Sequence, residues 1–587
     1  MKKLMALAIA VAMLAAMCVG AGLAEDGRVV AQGVGQGIDG DVVVQVEADA
    51  NRIYDVKVLE QNETPGIGTV AVEKLPGAIV EANSIAVDGI AGATVTSAAI
   101  FNAIREALSS AGIDPAPFEV AAEAAEAGEK TAESLACDVL IIGAGGAGLT
   151  AAVRAHQEGA DVLVLEKMAM VGGNSLKASG GMNCAATKFQ EAQGITDSGV
   201  QEFIEDTMNG GHQLNDLALV TTMAENSAEA VEWLESIGAP LPKVAATGGT
   251  THKYLHSPED GSPVGSYLVA KLSAEAEKQG IEIRLNTTAT ELLTIDGAVV
   301  GAKAEDAGHA YTISADAVIL ATGGFGSNFD LMCSFNPSLA NAVTTNHPGA
   351  TGDGILMAEA IGAATVDMDQ IQLHPTVYQA TSMLVSEKMR SLGAILVNQE
   401  GKRFCNDLST RDAVSAAELE QTGGYAYIIF DQHLVDQNKS AKEYIEKGMA
   451  VQGDTYAALA QAMGVDEEAF VQTMDTWNAA VAAGVDEAFG RNNGMDDDLS
   501  TAPFYAIQIA PGIHHTMGGI KIDTLTEVID TEGNVIPGLF AAGETTGGVH
   551  GGNRIGGNAV CDFVVFGRIA GAQAAAFAAQ AALAPAA

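Results

Sequence analysis

Residues 137–167, CDVLIIGAGGAGLTAAVRAHQEGADVLVLEK, decide the fold of this chain. An apolar run, a glycine-rich turn, a helix-length segment and a second apolar run follow one another, and the second run ends at Glu166. Gly143, Gly145 and Gly148 form the spacing GxGxxG inside this order. The pattern predicts a strand, a turn, a helix and a second, parallel strand, which is the beginning of a Rossmann-like α/β domain.

The same turn indicates a dinucleotide cofactor. Glycines let the backbone approach a pyrophosphate closely, and the N-terminus of the following helix favours the negative charge of that group. Glu166 stands about 20 residues further on and can accept hydrogen bonds from ribose hydroxyls. A glycine-rich turn with a purely structural role is the alternative interpretation.

Three further glycine-rich stretches decide between NAD and FAD. They are VGGNSLKASGGMN at 171–183, AVILATGGFG at 317–326 and IPGLFAAGETTGG at 536–548. A long, extended flavin dinucleotide needs several such close backbone approaches, whereas a nicotinamide domain usually needs fewer. The sequence therefore favours FAD.

The composition describes a globular, strongly acidic protein. The chain has 587 residues, 48% of them hydrophobic and 18% charged, which predicts about three or four domains with well-buried cores. Asp and Glu number 74 against 30 Lys and Arg, so the formal net charge is -44. Such a surface repels nucleic acids and anionic membrane faces, and we expect neither as a partner. An anionic substrate must therefore meet a locally basic pocket.

The N-terminus, MKKLMALAIAVAMLAAMCVGAGLAED, has two lysines, an apolar run and a small-residue end. It predicts a signal peptide over residues 1–24, and hence an exported protein, periplasmic, extracellular or attached to the cell surface. A retained membrane anchor is the alternative. The six cysteines are scattered without a CxxC or CxxCH spacing, so the sequence predicts no haem, iron–sulfur cluster or zinc site, and no other metal centre.

Two regions precede the glycine-rich turn. Residues 35–115 contain an alternating hairpin pattern, DVVVQVEADANRIYDVKVLEQ, and a helical pattern, SAAIFNAIREALSSAG, which together predict a small α+β domain. Residues 116–134 are rich in Ala and Glu and predict an exposed helical or flexible linker.

Four long motifs carry a resemblance to a known family: QLHPT, SEKMRSLGAILVNQEGKRFCNDLSTRD, APGIHHTMGGIKID and GETTGGVHGGNRIGGNAV. They resemble the FAD-dependent fumarate reductase and succinate dehydrogenase flavoproteins, in the branch of the flavocytochrome c-type fumarate reductases and urocanate reductases. The resemblance covers nearly everything from Cys137 onward. It implies an FAD-binding domain over 135–370 and 506–587, with an inserted α+β capping domain over 371–505.

Residues 35–115 resemble a different family, the small FMN-binding domains of flavinylated electron-transfer proteins. The likeness rests on Asp88, Gly92, Ala93 and Thr94. In that family a separate flavin transferase attaches FMN to the threonine by a phosphoester bond. The resemblance therefore implies covalent FMN on Thr94, although the position of Ala91 usually carries Ser or Thr.

The first resemblance also implies an enzyme that reduces a carbon–carbon double bond. Arg411 matches the family's proton donor, and Glu387 and Arg390 match the groups that replace the donated proton. Glu387 and Arg390 stand three residues apart, so they share a face if that segment is helical. A surface ion-pair cluster is the alternative for all three side chains.

Further matched residues would hold the substrate and the cofactor. His515 and Arg554 match the groups that grip one substrate carboxylate, His374 and Ser386 hold the other, and Gly557 lies beside them. Bidentate pairing suits arginine and a carboxylate. Residues expected to bind non-covalent FAD are Gly143, Gly145, Ala147, Gly148, Glu166, Asn174, Ser179, Gly180, Gly181, Thr322, Gly323, Gly324, Asp353, Glu544, Ala559 and Val560.

The expected substrate is a small unsaturated carboxylic acid, with fumarate favoured. Relatives specialised for urocanate carry Tyr and Asp where this chain has His374 and Ser386. Electrons would enter through FMN from a membrane quinol-linked or flavinylated donor, because the chain lacks the haems of its cytochrome-type relatives. Urocanate, methacrylate, acrylate or cinnamate reduction, ketosteroid oxidation and non-catalytic electron carriage are the alternatives.

Overall fold

The computed structural model describes residues 22–23, 28–37, 40–61, 68–87, 94–119, 130–247, 250 and 252–583. The chain divides into two compact units, Met1–Lys130 and Thr131–Ala587. The predicted signal peptide lies outside the described residues except for Gly22–Leu23, and so do Asp88 and residues 91–93 of the expected FMN signature. Thr94 begins a helix.

The first unit is a four-stranded antiparallel sheet with two helices. Its strands are β1 (Gly22–Leu23), β2 (Val29–Gln36), β3 (Asp41–Ala48) and β4 (Ile53–Glu60), paired in that order. Its helices are Gly68–Ala82 and Thr94–Ser110, and a 3₁₀ turn follows at Ala116–Phe118. The hairpin β3–β4 has the predicted alternation, because every second residue of β3 is buried.

The helix Thr94–Ser110 lies directly on strand β2. A Cβ atom at Gly33 would come within 2.0 Å of the Ala103 carbonyl oxygen, and one at Gly35 within 1.8 Å of the Ala99 carbonyl oxygen. Only glycine permits this contact between the backbones of helix and strand. The buried side chains of β3 and of both helices close one small hydrophobic core around it.

The second unit contains the remaining described strands and helices. Its strands are β5 (Thr131–Ile142), β6 (Val162–Leu165), β7 (Met182–Asn183), β8 (Lys243–Ala245), β9 (Leu255–Ser257), β10 (Glu282–Arg284), β11 (Thr288–Ile295), β12 (Ala298–Glu305), β13 (His309–Leu320), β14 (Thr365–Val366), β15 (Ile371–Tyr378), β16 (Met383–Leu384), β17 (Ile395–Val397), β18 (Ala426–Asp431), β19 (Ala450–Gly453), β20 (Phe504–Thr516), β21 (Gly519–Ile520), β22 (Glu527–Ile529) and β23 (Val535–Ala541). Its α-helices are Gly146–Gln157, Lys188–Ala192, Val200–Gly210, Leu217–Ser236, Val264–Gln279, Phe329–Phe335, Asp353–Ala360, Lys388–Ser391, Arg411–Leu419, Gln432–Gln437, Lys439–Glu446, Tyr456–Met463, Glu467–Ala483 and Asn558–Leu583. Short 3₁₀ helices lie at Gly173–Lys177, Pro337–Asn341, Thr422–Gly424 and Gly543–Thr545.

The sequence 137–167 folds as predicted, at the centre of an eight-stranded sheet. The sheet order is β10-β6-β5-β13-β12-β11, and β23 joins β13 and β22. Strands β10, β6, β5, β13 and β23 run parallel. The predicted Rossmann-like α/β fold is confirmed, and its apolar strands are buried on both faces, as a parallel sheet between helices requires.

A second sheet belongs to the expected capping domain. Its order is β16-β15-β20-β18-β17, with β19 also paired to β20. Strand β20 is continuous from Phe504 to Thr516, so it crosses the predicted boundary at 505/506 without a break. One strand therefore connects the cap sheet to the residues expected to face the substrate.

The predicted linker 116–134 is shorter in the structure at both ends. Phe118 is 1% exposed and its carbonyl oxygen accepts a hydrogen bond from Ile85, so it belongs to the core of the first unit. Strand β5 already begins at Thr131, because residues 131–134 pair with β13 from His309 onward. The alanine- and glutamate-rich composition gave no signal for either end of the linker. Residues 120–129 lie outside the described part of the chain.

The C-terminal helix Asn558–Leu583 packs inside the second unit. Among the described helices it alone is long and apolar enough to cross a membrane, over Asn558–Ala581, but 72% of its apolar window is buried within the protein. Gly567 and Gly571 bring it against the backbone of the helix Gly146–Gln157. Its apolar composition is explained by this packing.

We predict that Gly148→Ala and Gly145→Ala have different effects on stability. A Cβ at Gly148 would lie 1.9 Å from the Gly143 carbonyl oxygen, so the turn must shift, at a cost of about 1–3 kcal/mol in the free energy of unfolding. A Cβ at Gly145 meets nothing nearer than 3.9 Å, and its substitution costs less than about 1 kcal/mol. Urea unfolding of flavin-free protein measures both; equal losses would contradict this account of the turn.

Candidate active site

The residues expected to bind FAD gather at the carboxyl ends of four parallel strands. Gly143 follows β5, Glu166 follows β6, Thr322 follows β13 and Glu544 follows β23. In open α/β sheets, ligands bind at this edge. The topology of the sheet, rather than proximity in sequence, brings these four positions together.

The glycine-rich turn leads directly into the N-terminus of a helix. Gly143 has φ +104° and would place a Cβ 2.3 Å from the Ala321 carbonyl oxygen, so the turn packs tightly against the neighbouring strand. Gly145 precedes the helix Gly146–Gln157, has an extended backbone and has no close neighbour on its Cβ side. Unpaired N–H groups at such an end bind a pyrophosphate. Ala147 lies in the first turn of this helix.

Glu166 holds the turn from the end of β6. Its carboxylate accepts hydrogen bonds from the backbone N–H of Ala144 at 2.9 Å and of Met168 at 2.8 Å. Burial raises the pKa of Glu166, and these two amides oppose that rise. Lys167, the next residue, forms an ion pair with Asp353 at 2.6 Å. Asp353 therefore lies near Glu166, the residue expected to bind ribose, at the same edge of the sheet.

The loops at the four strand ends that are expected to hold FAD are called the cradle below. Asn174 and Glu544 connect this cradle to the strand β20. The Asn174 amide donates to Glu544 at 3.2 Å, and Glu544 accepts from the Thr516 backbone N–H at 3.1 Å. Thr322 contacts Thr545 at 3.0 Å between hydroxyl oxygens. Gly324 lies where a Cβ would come within 2.0 Å of the Thr516 hydroxyl oxygen. The contacts of Glu544 and Gly324 with Thr516 tie these loops to the strand that carries His515.

The remaining expected cofactor residues surround the same edge. Gly180 has open space on its Cβ side, and Gly181 packs against the His256 carbonyl oxygen. Ala559 and Val560 occupy the first turn of the C-terminal helix. A helix N-terminus, several glycines and polar side chains at three strand ends fit an extended dinucleotide, and these residues would hold FAD.

Arg411, Glu387 and Arg390 form a buried chain of alternating charge. Arg411 Nη2 donates to Glu387 Oε2 at 2.9 Å, and Arg390 Nη2 lies 3.6 Å from Glu387 Oε1. The arginine side chains are 9% and 0% exposed and the glutamate 13%, which excludes the surface ion-pair interpretation. Arg411 begins the helix Arg411–Leu419, and Glu387 caps the helix Lys388–Ser391.

The charges of this chain control its protonation. Burial favours the neutral acid of Glu387, but Arg411 and Arg390 outweigh that effect and hold the pKa of Glu387 below its ordinary value. Burial lowers the pKa of Arg390, with Glu387 opposing. Glu387 is therefore a carboxylate between two cations, in a position to exchange protons with either.

Gln372 binds both Arg411 and Arg554 and so keeps their guanidinium groups close to each other. Its Oε1 accepts from Arg411 Nη1 at 3.1 Å and from Arg554 Nη2 at 3.3 Å. Its amide nitrogen donates to Asn553 Oδ1 at 2.6 Å and to the Arg554 carbonyl oxygen at 2.8 Å. All four hydrogen bonds fix one buried amide, which in turn orients both guanidinium groups.

A small cleft opens at these arginines. It has about 200 Å³ of space including its mouth, and its lining residues are Glu387, Thr410, Arg411, Asn553, Arg554, Ile555 and Gly556. A Cβ at Gly556 would lie 3.0 Å from the Glu387 carboxylate and 3.3 Å from the Arg411 guanidinium, so the glycine leaves room for this ion pair. A Cβ at Gly557, which is expected beside the substrate, would lie 2.6 Å from Asn183 and from Leu255.

Three buried histidines lie beside the arginines. His374 Nδ1 accepts from the Thr376 backbone N–H at 3.2 Å, which leaves Nε2–H as a donor without a hydrogen-bond partner. His514 contacts the Thr345 hydroxyl at 2.8 Å and stacks edge-on against His374 at 5.1 Å. Within the described part of the chain, neither ring nitrogen of His515 has a hydrogen-bond partner. The unpartnered nitrogens of His374 and His515 therefore retain hydrogen-bonding capacity.

Burial and positive charge keep these histidines neutral. Burial, followed by the charge of Arg411, lowers the pKa of His374 and of His514 well below the ordinary value, and burial with Arg554 does the same for His515. His550 lies edge-on to His515 at 5.3 Å and contacts Asp562 at 3.1 Å. A neutral imidazole can donate one hydrogen bond to a carboxylate and keep its other nitrogen as an acceptor.

Ser386 meets an expected FAD residue. Its hydroxyl oxygen lies 3.3 Å from that of Ser179, and its backbone N–H is held by the Tyr444 hydroxyl at 3.0 Å. Ser386 immediately precedes Glu387 in the chain. The expected substrate side and the expected cofactor side therefore meet at one pair of hydroxyls.

Sequence reasoning assigned no role to Gln372 or Asn553, although both stand inside quoted motifs. Gln372 precedes His374 by two positions on β15, and both side chains are buried. Alternation along a strand places residues i and i+2 on one face, which was the available signal. Asn553 lies beside Arg554 and gave no such periodic signal.

Comparison with known proteins agrees with this geometry. Residues 138–560 match the FAD-binding domain family, and residues 37–109 match the FMN-binding domain family. The chain is 44% identical over 536 residues to an NADH:fumarate oxidoreductase of Klebsiella pneumoniae, covering 91% of this chain and 57% of that protein. It is 36% identical over 576 residues to a urocanate reductase of Eggerthella lenta, covering 95% and 94% of the two chains.

A solved structure has the same fold. The open conformation of a flavocytochrome c3 fumarate reductase is 45% identical, with a TM-score of 0.66, and the match covers 76% of this chain and 79% of that one. The chain thus spans little more than half of the first relative but most of the other two. It belongs to the FAD-dependent fumarate reductase flavoprotein family, and it carries an FMN-binding domain ahead of the FAD-binding domain.

Proposed function

We propose that this protein is a flavin-dependent reductase of small α,β-unsaturated carboxylates, with fumarate as the preferred substrate. The observation that carries the proposal is the convergence of Arg411 and Arg554 on Gln372, beside Glu387, in a buried cleft. Two cations aimed into one small space suit an anion with a reacting carbon beside it. A structural ion pair would need only one cation for each carboxylate.

FAD, held by the cradle described above, would supply a hydride to one carbon of the double bond. The protein then has to orient the substrate and to stabilise the negative charge that develops on it. Arg554 and His515 would hold one carboxylate, and His374 and Ser386 the other. Gripping both ends would twist one carboxylate out of plane and polarise the double bond.

Arg411 would donate the proton that completes the reaction. Arginine is a weak acid, with a free pKa above about 12, but a carbanion is a stronger base. Glu387, 2.9 Å behind Arg411, would return the lost proton, and Arg390 would restore Glu387. The low pKa of Glu387 makes it a carboxylate that passes a proton on without retaining it.

The charge distribution fits this task. The chain has a net charge of -44, yet two arginines, Arg411 and Arg554, line the cleft, and a third, Arg390, lies 3.6 Å from the single lining glutamate. Burial, and then Arg411, lower the pKa of Arg554 to about 9, which reports how unfavourable a second cation is there. A bound dicarboxylate would relieve that repulsion.

Urocanate is the second candidate. The urocanate reductase of Eggerthella lenta aligns with this chain over nearly the full length of both, so the domain order is shared. His374 and Ser386 favour fumarate, because the resemblance places Tyr and Asp at these positions in urocanate-specialised relatives.

Electrons would reach FAD through FMN attached covalently to Thr94. A flavin transferase would make the bond, and a membrane quinol-linked or flavinylated protein would be the donor. Support comes from the FMN-binding domain and from the Asp88 to Thr94 signature. The signal-like N-terminus supports export, which such a donor arrangement requires.

Turnover of candidate substrates tests the proposal. Protein carrying both flavins, reduced by a viologen dye, should oxidise the dye fastest with fumarate among fumarate, urocanate, methacrylate and cinnamate. Rapid turnover of urocanate with none of fumarate would overturn the substrate assignment. A protein that no enoate reoxidises would be an electron carrier instead.

Replacing Arg411 should separate chemistry from binding. Arg411→Ala removes the proton donor, and we expect kcat with fumarate to fall by about 10²–10⁴-fold or more, while the flavin absorbance spectrum stays unchanged. Lys388→Ala, an exposed cation in the neighbouring helix, is the matched control and should retain wild-type kcat. Equal activity of wild type and R411A would exclude the assigned role.

Thr94→Ala tests the covalent flavin. Wild-type protein produced in a host that has the flavin transferase should gain the mass of one FMN, and the variant should not gain it. Intact-protein mass spectrometry reads both, and Thr96→Ala is the neighbouring control. An unmodified wild type from such a host would contradict attachment at Thr94.

A further inference from the structure

His550 and Asp562 form a buried pair that the proposed reaction does not use. The distance from His550 Nε2 to Asp562 Oδ2 is 3.1 Å, and both side chains are 3% exposed. Among the described residues, neither His550 Nδ1 nor Asp562 Oδ1 has a hydrogen-bond partner. A buried polar pair with part of its hydrogen-bonding capacity unused is less favourable than apolar side chains of similar size. Packing alone therefore does not account for the pair.

The pair joins three segments of the candidate active site. His550 precedes Arg554 by four residues, in the loop that carries that arginine. Asp562 lies in the second turn of the C-terminal helix, whose first turn is expected to contact FAD. The ring of His550 stands edge-on to the ring of His515 on strand β20, with 5.3 Å between the ring centroids and 85° between the ring planes.

This ring contact orients His515. Within the described part of the chain no hydrogen bond holds either ring nitrogen of His515, so its ring plane is set by packing. Edge-to-face ring pairs have a preferred geometry, and a buried pair holds it. Asp562 in turn fixes His550, because an ionised carboxylate accepts a hydrogen bond and keeps the imidazole proton on Nε2.

Orientation matters for His515 because its imidazole is neutral. Burial, followed by the charge of Arg554, lowers the pKa of His515 well below the ordinary value. A neutral imidazole has one N–H, so it can donate to a carboxylate from one ring position only. The direction of the ring plane therefore decides whether that N–H reaches a carboxylate bound at Arg554.

We propose that His550 and Asp562 are positioning residues for substrate binding, which act through His515. Asp562 fixes the ring of His550, and His550 fixes the ring plane of His515, so that the N–H of His515 points at the substrate carboxylate. The inference rests on the proposed reductase function and on the role of His515 in it. Neither residue of the pair touches the substrate or exchanges a proton with it.

Double-mutant cycles in the full-length protein carrying both flavins test this role. His550→Gln removes the ring but keeps a donor for Asp562, and Asp562→Asn keeps the volume of the acid. With viologen dye and fumarate, each change should lower kcat/KM about 10–100-fold, mainly by raising KM. In a His515→Ala background the positioning has nothing left to act on, so neither change should cause a further loss greater than about twofold.

His433→Ala is the matched control. His433 lies 3.3 Å from Asp497, but these side chains are 46% and 42% exposed, and the variant should retain the wild-type kcat/KM. A titration with succinate, followed by flavin absorbance, gives a second measurement without turnover. The Kd for succinate should rise in H550Q by about the same factor as KM, and it should stay unchanged in H433A.

The possible failures give different results. Wild-type kcat/KM in H550Q, or a loss in the His515→Ala background as large as in wild type, overturns the inference and leaves the reductase intact. Asp562 is also one of the acids that oppose the lowering of the Arg554 pKa by burial and Arg411. A further loss from D562N alone in the His515→Ala background would assign Asp562 to Arg554 and overturn its role here. A wild type that reduces none of fumarate, urocanate, methacrylate and cinnamate overturns the proposed function, and the inference with it.

Discussion

Arg411 and Arg554 donate to the same oxygen, Oε1 of Gln372, at 3.1 and 3.3 Å, and the rest of the site follows from that contact. Two guanidinium groups held this close repel each other by an amount on the order of a few kcal/mol in a partly desolvated setting. Glu387 offsets one charge, and the amide of Gln372 supplies an acceptor without adding a charge. The excess positive charge that remains would attract an anion, inside a protein whose surface would otherwise repel one.

The contact requires two parts of the second unit to meet. Gln372 and Arg411 belong to the expected cap, on β15 and on the helix Arg411–Leu419, whereas Arg554 belongs to the C-terminal part of the FAD-binding domain. Strand β20 pairs with β15 and ends beside the cradle at Thr516, whose backbone N–H is bound by Glu544. Strand β20 therefore joins the expected FAD site to the cleft, and the position of one fixes the position of the other.

The sequence predicted most of this architecture because its signals were local. The turn at 137–167 needed only glycine spacing between apolar runs, and the arginines and histidines stood in long motifs. Three features escaped prediction for physical reasons. Gln372 acts through partners almost forty and more than 180 residues away, which no local pattern contains. The boundary at 505 fell within β20 because a continuous strand leaves no compositional break. Phe118 was assigned to a linker because its core contacts come from the distant Ser84–Ile85 segment.

Glu387 and Glu418 show what burial adds to sequence. Both are glutamates near Arg390, and only their surroundings distinguish them. Glu387 has two cations within 3.6 Å and stays ionised, whereas burial raises the pKa of Glu418, with Arg390 and the Ala426 backbone amide opposing that rise. A carboxylate between two cations can pass a proton from Arg390 to Arg411, which is the role that the proposed function gives to Glu387.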